Sequence, residues 1–222
     1  MLKFIKKDAL KKHTATVIFM HGLGDSGNGW APISDILGEK LPHVKFIFPH
    51  APVKPVTLNY GMEMPAWYDI FSLSRFEKED EEGLLQSLGL VKTLINNEVD
   101  MGTPSSRIAV CGFSQGAAMA YITGLTFETK LAGIVALSGY LPIHDTVFRM
   151  ATDANKPTKI FVGHGTDDPV VRYELSTLSV NELKKENYNV EFKTYVGLEH
   201  SSCPQEILDL CEFLSKNLPE TQ

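Results

Sequence analysis

The stretch Gly112-Phe113-Ser114-Gln115-Gly116, which reads Gly-x-Ser-x-Gly, constrains the fold of this chain most strongly. An apolar run at 108–111 leads into it, and a helix-favouring run at 117–122 follows it. A strand, a sharp turn and a helix in this order are the context of a nucleophile elbow, which holds a serine hydroxyl at the end of a sheet. The two glycines allow the tight turn because they have no Cβ. The pattern predicts a nucleophilic serine, provided that the rest of the chain supplies its partners.

Apolar, β-rich runs alternate with longer helical patterns along the rest of the chain, which is typical of βαβ units and a mostly parallel sheet. We predict strands at 16–20, 44–48, 107–111, 133–138, 159–162 and 190–195, and helices at 30–40, 84–99, 173–186 and 206–217. The proline-containing segment 50–74 predicts a long loop, and a loop of this length inside a domain is usually functional. The prediction is therefore an α/β fold with helices on both faces of the sheet, in a single domain at 1–222.

The composition excludes several classes of protein. The formal net charge of −6 leaves no basic footprint, which argues against nucleic acid as the main partner. Three cysteines, Cys111, Cys203 and Cys211, form neither a disulfide framework nor a metal-ligand spacing. The N-terminal residues do not read as a secretory signal, and no apolar run is long enough to span a membrane. We expect a cytoplasmic protein that uses no metal and no cofactor.

A nucleophilic serine needs a base to take its proton and an acid to orient that base. In the elbow arrangement the order along the chain is serine, acid and histidine. His200 is the histidine that follows an acid placed after the 159–162 strand, and it lies just after the last predicted strand. The carboxyl ends of parallel strands share one edge of a sheet, where ligands bind. We therefore expect Ser114, His200 and the acid to meet at this edge.

Two adjacent carboxylates, Asp167 and Asp168, are candidates for the acid, and only one can point at the imidazole. We favour Asp168 because Pro169 stiffens the turn directly after it. Asp167 stays open as the alternative. Glu199 is adjacent to His200 in sequence and badly placed to orient its ring, so we expect it to face solvent.

Acyl transfer also needs N–H donors that stabilise the oxyanion, each worth about 3–4 kcal/mol. One donor should be the backbone N–H of Gln115, the residue after the nucleophile. The other should come from the glycine-rich loop at 21–27, where Leu23 stands between two glycines. A phosphate cradle is the competing interpretation of this loop, but neither of the usual phosphate-binding motifs is present. We expect His21 to brace the loop rather than act in the chemistry.

Motifs in a fixed order carry a family resemblance over about residues 14 to 215: His21-Gly22-Leu23-Gly24-Asp25, Met64-Pro65-Ala66-Trp67-Tyr68-Asp69, Gly112-Phe113-Ser114-Gln115-Gly116, Ala136-Leu137-Ser138-Gly139, His164-Gly165 with Asp168-Pro169-Val170-Val171, and His200-Ser201. As an ordered set they resemble the acyl-protein thioesterases, a family also described as lysophospholipases or small carboxylesterases. The resemblance implies an α/β-hydrolase fold without a large lid domain. It places the triad on Ser114, Asp168 and His200 and the oxyanion donors on Leu23 and Gln115, which supports Asp168 independently of the proline.

The resemblance also implies an activity. The expected reaction is hydrolysis of fatty-acyl thioesters on protein cysteines (depalmitoylation), with acyl oxyesters as further substrates. The alternative is a general carboxylesterase or lysophospholipase that acts on free small-molecule or lipid esters. A non-catalytic module that binds lipid or protein is a third hypothesis, and the complete triad order argues against it. The expected partners are S-acylated proteins and acyl lipids.

The acyl contacts are expected in the loop at 58–76, with Trp67, Leu73 and Phe76 as candidate substrate-binding residues. A plain core role is the alternative for Trp67. An exposed apolar rim around the pocket would serve either transient contact with a membrane surface or a weak homodimer, and the sequence does not separate the two.

Overall fold

The computed structural model describes residues 2–72 and 79–220. The strands in these ranges are β1 (Phe4–Lys7), β2 (Ala15–Met20), β3 (Val44–Pro49), β4 (Val53–Val56), β5 (Met62–Pro65), β6 (Ile108–Phe113), β7 (Gly133–Leu137), β8 (Ile160–Gly165) and β9 (Val190–Tyr195). The α-helices are α1 (Gly27–Trp30), α2 (Ile33–Lys40), α3 (Glu81–Asp100), α4 (Gln115–Thr126), α5 (His144–Met150), α6 (Tyr173–Lys185) and α7 (Pro204–Asn217). Single 3₁₀ turns lie at Thr57–Asn59, Ser105–Arg107 and Asp153–Asn155.

Within the described residues, seven strands form one sheet in the order β1-β3-β2-β6-β7-β8-β9. All neighbouring pairs are parallel except β1 with β3. The expected mostly parallel sheet is confirmed. Strand β6, which leads into the elbow, lies in the middle of the sheet between β2 and β7, so its carboxyl end is flanked by other strand ends.

Alternate side chains of β6 pack into different halves of the core. Ile108 and Val110 join the cluster that also contains residues of α3 and α4, whereas Ala109 and Cys111 join the cluster that contains residues of α2 and α7. This division follows from the pleat, which points successive side chains to opposite faces of a sheet. Every residue of α4 is buried. The elbow between β6 and α4 is therefore held by packed elements on both sides.

The segment 50–74 differs from the predicted loop, because it contains the antiparallel pair β4 and β5. Each of these strands contains a proline, Pro55 in β4 and Pro65 in β5. Proline cannot donate to a ladder, so its presence argues against a strand at the level of sequence. The structure also has the edge strand β1, which the sequence does not predict because its two apolar residues are followed by two lysines and do not alternate with polar ones. The hairpin brings the second half of the segment back towards the sheet edge.

Candidate active site

Ser114 lies in the turn between β6 and α4 with φ 56° and ψ −119°. A positive φ is sterically costly for a residue with a side chain, so the surrounding structure must impose it. A Cβ on Gly112 would lie 2.0 Å from the carbonyl oxygen of Gly116, and a Cβ on Gly116 would lie 2.1 Å from that of Met20. Only glycine fits at either position. The elbow is therefore pressed against β2, and the serine side chain projects from its tip.

The structure brings His200 to Ser114 across the sheet edge. The distance from His200 Nε2 to Ser114 Oγ is 3.0 Å, and that from His200 Nδ1 to Asp168 Oδ2 is 2.7 Å. An ionised carboxylate only accepts hydrogen bonds, so Nδ1 donates to Asp168. Nε2 is then the acceptor for the serine hydroxyl proton. The tautomer that a general base needs is the one that this geometry selects.

Asp168 is fixed by donors on both of its oxygens. Oδ1 accepts from the backbone N–H of Val170 at 2.8 Å and of Val171 at 2.9 Å, and Oδ2 accepts from His200. His164 Nε2 lies 3.4 Å from Oδ2. Burial alone would raise the pKa of this carboxyl, but the hydrogen bonds from His164 and His200 outweigh burial and hold the pKa well below its ordinary value. Asp168 is therefore a charged, rigid acceptor.

The neighbouring Asp167 points elsewhere. It is exposed, and its Oδ1 accepts from the hydroxyl of Thr166 at 2.6 Å. Glu199 is also exposed. Of the acids considered from the sequence, the structure places Asp168 against the imidazole.

Leu23 and Gln115, whose backbone N–H groups are the expected oxyanion donors, line the same cavity as Ser114. Gln115 is the first residue of α4, so its N–H has no helical carbonyl partner. The N–H of Leu23 makes no hydrogen bond within residues 2–72 and 79–220. Free donors at a serine tip are the groups that an oxyanion requires. The role of these two N–H groups as oxyanion donors stays a prediction.

His21 is buried at the base of the glycine-rich loop. Its Nδ1–H donates to the carbonyl of Gly22 at 2.6 Å, and its Nε2 accepts from the N–H of Ala51 at 3.0 Å. Burial lowers the pKa of this imidazole despite the contact with the Gly22 carbonyl. A neutral ring with both nitrogens engaged fits the bracing role expected for His21.

The cavity beside Ser114 has a volume of about 290 Å³. Ser114 and His200 open into it at one side. Its other described lining residues are mainly apolar or aromatic: Trp30, Leu58, Tyr68, Ile70, Phe113, Tyr140, Val170 and Val171. A concave apolar surface next to a few polar groups is suited to a ligand with a long apolar part.

The candidate substrate contacts need a correction. Trp67 is completely buried and does not line the cavity, so the structure places it in the scaffold behind the site rather than against an acyl chain. Leu73 and Phe76 lie outside the described residues. Sequence reasoning also missed Tyr140, although it follows the Leu-Ser-Gly motif at the carboxyl end of β7, an edge where ligands bind.

In the part of the chain that the structure describes, no group of three or more His, Cys, Asp and Glu side chains could hold a metal ion. None of the helices in this part has both the length and the apolar character needed to cross a membrane.

Comparisons with known sequences agree with the motifs. The profile of the phospholipase/carboxylesterase family matches residues 3–218. Acyl-protein thioesterase 1 of Cryptococcus neoformans var. neoformans serotype D is 46% identical to this chain and covers 98% of both chains. Acyl-protein thioesterase 1 of Yarrowia lipolytica is 46% identical and covers 97% of both.

Solved structures give the same picture. SOBER1 of Arabidopsis thaliana superposes with a TM-score of 0.88 and 31% identity, over 92% of this chain and 99% of that one. Acyl-protein thioesterase 2 of Zea mays superposes with a TM-score of 0.85 and 32% identity, over 98% of this chain and 100% of that one. The matches confirm the resemblance that the motifs indicated and the α/β-hydrolase fold that it implied.

Proposed function

Since the chain belongs to the phospholipase/carboxylesterase family, we propose that it is a serine hydrolase that cleaves fatty-acyl thioesters from protein cysteines and also acts on acyl oxyesters. The observation that carries the proposal is the hydrogen-bonded series Ser114–His200–Asp168, which opens into an apolar cavity. Nucleophile, base and orienting acid are the parts that acyl transfer through a serine ester needs.

In the proposed mechanism Ser114 Oγ attacks the acyl carbonyl while His200 Nε2 takes the hydroxyl proton. The N–H groups of Leu23 and Gln115 stabilise the oxyanion that forms on the carbonyl oxygen. His200 then gives its proton to the departing thiolate or alkoxide. In the second half of the reaction His200 takes a proton from water, which attacks the acyl-enzyme carbonyl; the bond to Ser114 Oγ then breaks, His200 returns the proton to Oγ, and the fatty acid leaves. Asp168 holds the imidazole tautomer and stabilises the imidazolium.

The lining of the cavity supports a fatty-acyl group as the part of the substrate that binds. Leu58, Ile70, Val170 and Val171 present apolar surface next to the nucleophile, and about 25 cal/mol is gained for each Å² of apolar surface that leaves water. The relatives named acyl-protein thioesterase support a protein thioester as the leaving side. The alternative substrate is a free carboxylic ester or a lysophospholipid, which the description of the family favours.

A substrate panel tests the proposal. We expect turnover of an S-palmitoylated peptide, with kcat/KM at least about 10-fold above that for lysophosphatidylcholine, and a rise in kcat/KM with acyl length because each CH₂ buried contributes about 0.8 kcal/mol. The measurement is kcat/KM on matched thioesters and oxyesters of increasing acyl length. A preference for lysophosphatidylcholine would favour the alternative substrate class. Failure of a fluorophosphonate to label Ser114 would contradict the proposal as a whole.

We further propose that the β4–β5 hairpin makes transient contact with a membrane surface. Val53, Tyr60 and Met62 on this hairpin are 65%, 98% and 59% exposed. Leu58, in the turn between the two strands, lines the cavity, so the hairpin that carries these exposed side chains also borders the cavity. A lipid-anchored substrate reaches the cavity from a bilayer, and amphipathic elements bind bilayers through such apolar side chains.

Binding to vesicles tests the membrane contact. Replacing Tyr60 and Met62 together by serine should lower the fraction of protein that sediments with phosphatidylcholine vesicles by about 5-fold or more, because two exposed apolar side chains no longer leave water. Turnover of a short, water-soluble ester should stay unchanged, since neither residue lines the cavity. If vesicle binding is unchanged and the variant instead loses a weak self-association seen by analytical ultracentrifugation, the hairpin is a dimer surface and this proposal is wrong.

We propose that residues 1–222 act as a single domain in the cytoplasm. Cys111, Cys203 and Cys211 are all free, which supports the proposed cytoplasmic location.

A further inference from the structure

The two proposed oxyanion donors lie on separate segments of the chain. Leu23 is in the loop between β2 and α1, and Gln115 is at the start of α4. An oxyanion is stabilised only if both N–H groups point at one atom, and an error of about 1 Å in such a site costs roughly 100-fold in rate. Some further contact must therefore fix the loop relative to the helix.

A short segment that we call the strap, residues 65–68, contacts the loop. The N–H of Gly24 donates to the carbonyl of Pro65 at 2.8 Å. The indole Nε1–H of Trp67 donates to the carbonyl of His21 at 2.9 Å. These two bonds flank Leu23 in sequence, so they fix the backbone on both sides of the proposed donor.

The strap also forms direct hydrogen bonds with the elbow. The backbone N–H of Trp67 donates to Oε1 of Gln115 at 2.9 Å, and Nε2 of Gln115 donates to the carbonyl of Tyr68 at 2.7 Å. Gln115 thus supplies a proposed oxyanion donor with its backbone and anchors the strap with its side chain.

Burial makes these hydrogen bonds rigid. The exposed fractions of His21, Trp67 and Gln115 are 0%, 0% and 2%. Breaking a buried hydrogen bond leaves polar groups without a partner and without water, at a cost of about 1–3 kcal/mol for each group. No water can replace the strap contacts without displacing packed side chains.

We propose that Trp67 is a positioning residue for the reaction: its indole N–H and its backbone N–H join the two segments that carry the oxyanion donors and so set the spacing between Leu23 and Gln115. The inference rests on the proposed function. It gives Trp67 a role that differs both from an acyl contact and from plain filling of the core.

The first test is Trp67→Phe, which keeps an aromatic ring in the core and removes the indole donor to His21. We expect kcat on a fatty-acyl thioester to fall about 10- to 100-fold while KM changes less than about 3-fold, because the lost alignment matters only once the oxyanion forms. A second measurement compares binding of a ligand that carries an oxyanion with binding of one that does not. An acyl trifluoromethyl ketone, which forms an oxyanionic adduct with Ser114, should bind more weakly by the same factor, whereas the fatty-acid product should bind as it does to the wild type.

A second variant, Gln115→Met, removes both side-chain bonds to the strap and leaves the backbone N–H in place. Its side chain has nearly the same length, so it opens no large cavity. We expect the same selective fall in kcat and in affinity for the ketone. The control is Phe213→Leu, an aromatic truncation in the core cluster on the other face of the sheet. It should lower Tm to a similar extent and leave kcat within about 2-fold of the wild type.

The outcomes are distinguishable. A wild-type protein that hydrolyses thioesters, with Trp67→Phe and Gln115→Met variants that are folded and keep wild-type kcat and ketone affinity, would overturn the positioning role alone. Equal losses in fatty-acid binding and ketone binding would also overturn it, because they would show a general change of the cavity. A wild-type protein that neither hydrolyses acyl esters nor reacts with a fluorophosphonate would overturn the proposed function and this inference together.

Discussion

Replacing Ser114 by alanine should lower kcat on a fatty-acyl thioester by roughly 10⁴- to 10⁶-fold, as removal of the nucleophile does in serine hydrolases. The alanine variant retains the cavity, the proposed oxyanion donors and His200, but has no side-chain oxygen to form the acyl-enzyme. It should still fold, since alanine at φ 56° meets the same backbone strain as the serine it replaces. The measurement is single-turnover hydrolysis of an S-palmitoylated peptide, together with Tm by circular dichroism.

Ser138 is a matched control for this substitution. It also lies at the carboxyl end of a central strand, β7, with a positive φ of 47°, and it is fully buried. Its hydroxyl makes no hydrogen bond within the described residues. Ser138→Ala should therefore change kcat less than about 3-fold. Near-wild-type turnover by Ser114→Ala, or an equal loss in both variants, would remove Ser114 from the role of nucleophile.

The sequence predicts the sheet and the approach of Ser114, Asp168 and His200 because both depend on local patterns. Apolar runs such as 16–20 and 133–138 mark buried parallel strands, which are hydrophobic on both faces. Ser114, Asp168 and His200 each follow such a run, and parallel strands end at one edge. The order along the chain therefore already brings the three residues together, and the structure adds the distances.

The acyl contacts and the strap could not be found in the same way, because they depend on contacts between distant residues. Trp67 lies in the proline-containing segment 50–74, and the sequence leaves both an acyl contact and a plain core role open for it. In the structure it is buried in the core cluster that contains residues of α3 and α4. Its partners, His21 and Gln115, lie 46 and 48 residues away in sequence. No local sequence pattern encodes these hydrogen bonds. The sequence alone therefore could not decide whether Trp67 contacts substrate or supports the scaffold.

The second large effect on kcat is expected from substitution of one of the two adjacent acids, Asp167 and Asp168. Asp168→Asn should lower kcat by roughly 10⁴-fold, because a carboxamide cannot hold the Nδ1–H tautomer of His200 or stabilise the imidazolium. Asp167→Asn is the matched control: the same chemical change, one residue away, on an exposed side chain bonded to Thr166. It should leave kcat within about 3-fold of the wild type. Comparable losses in the two variants would contradict the assignment of Asp168 as the orienting acid.

Asp168→Asn should also lower Tm more than Asp167→Asn does. The pKa of Asp168 is held below its ordinary value in the folded protein by the hydrogen bonds that outweigh its burial, so the stabilisation it contributes is present above the unfolded-state pKa of about 4 and is lost as the pH falls below it. The fall in Tm caused by Asp168→Asn should therefore be largest at pH 6–7 and should shrink below about pH 4. Asp167→Asn should change Tm little at either pH, because its carboxylate faces solvent. A Tm difference for Asp168→Asn that is independent of pH would mean that this carboxylate is not charged and paired in the folded state, and the orientation of His200 would then need another source.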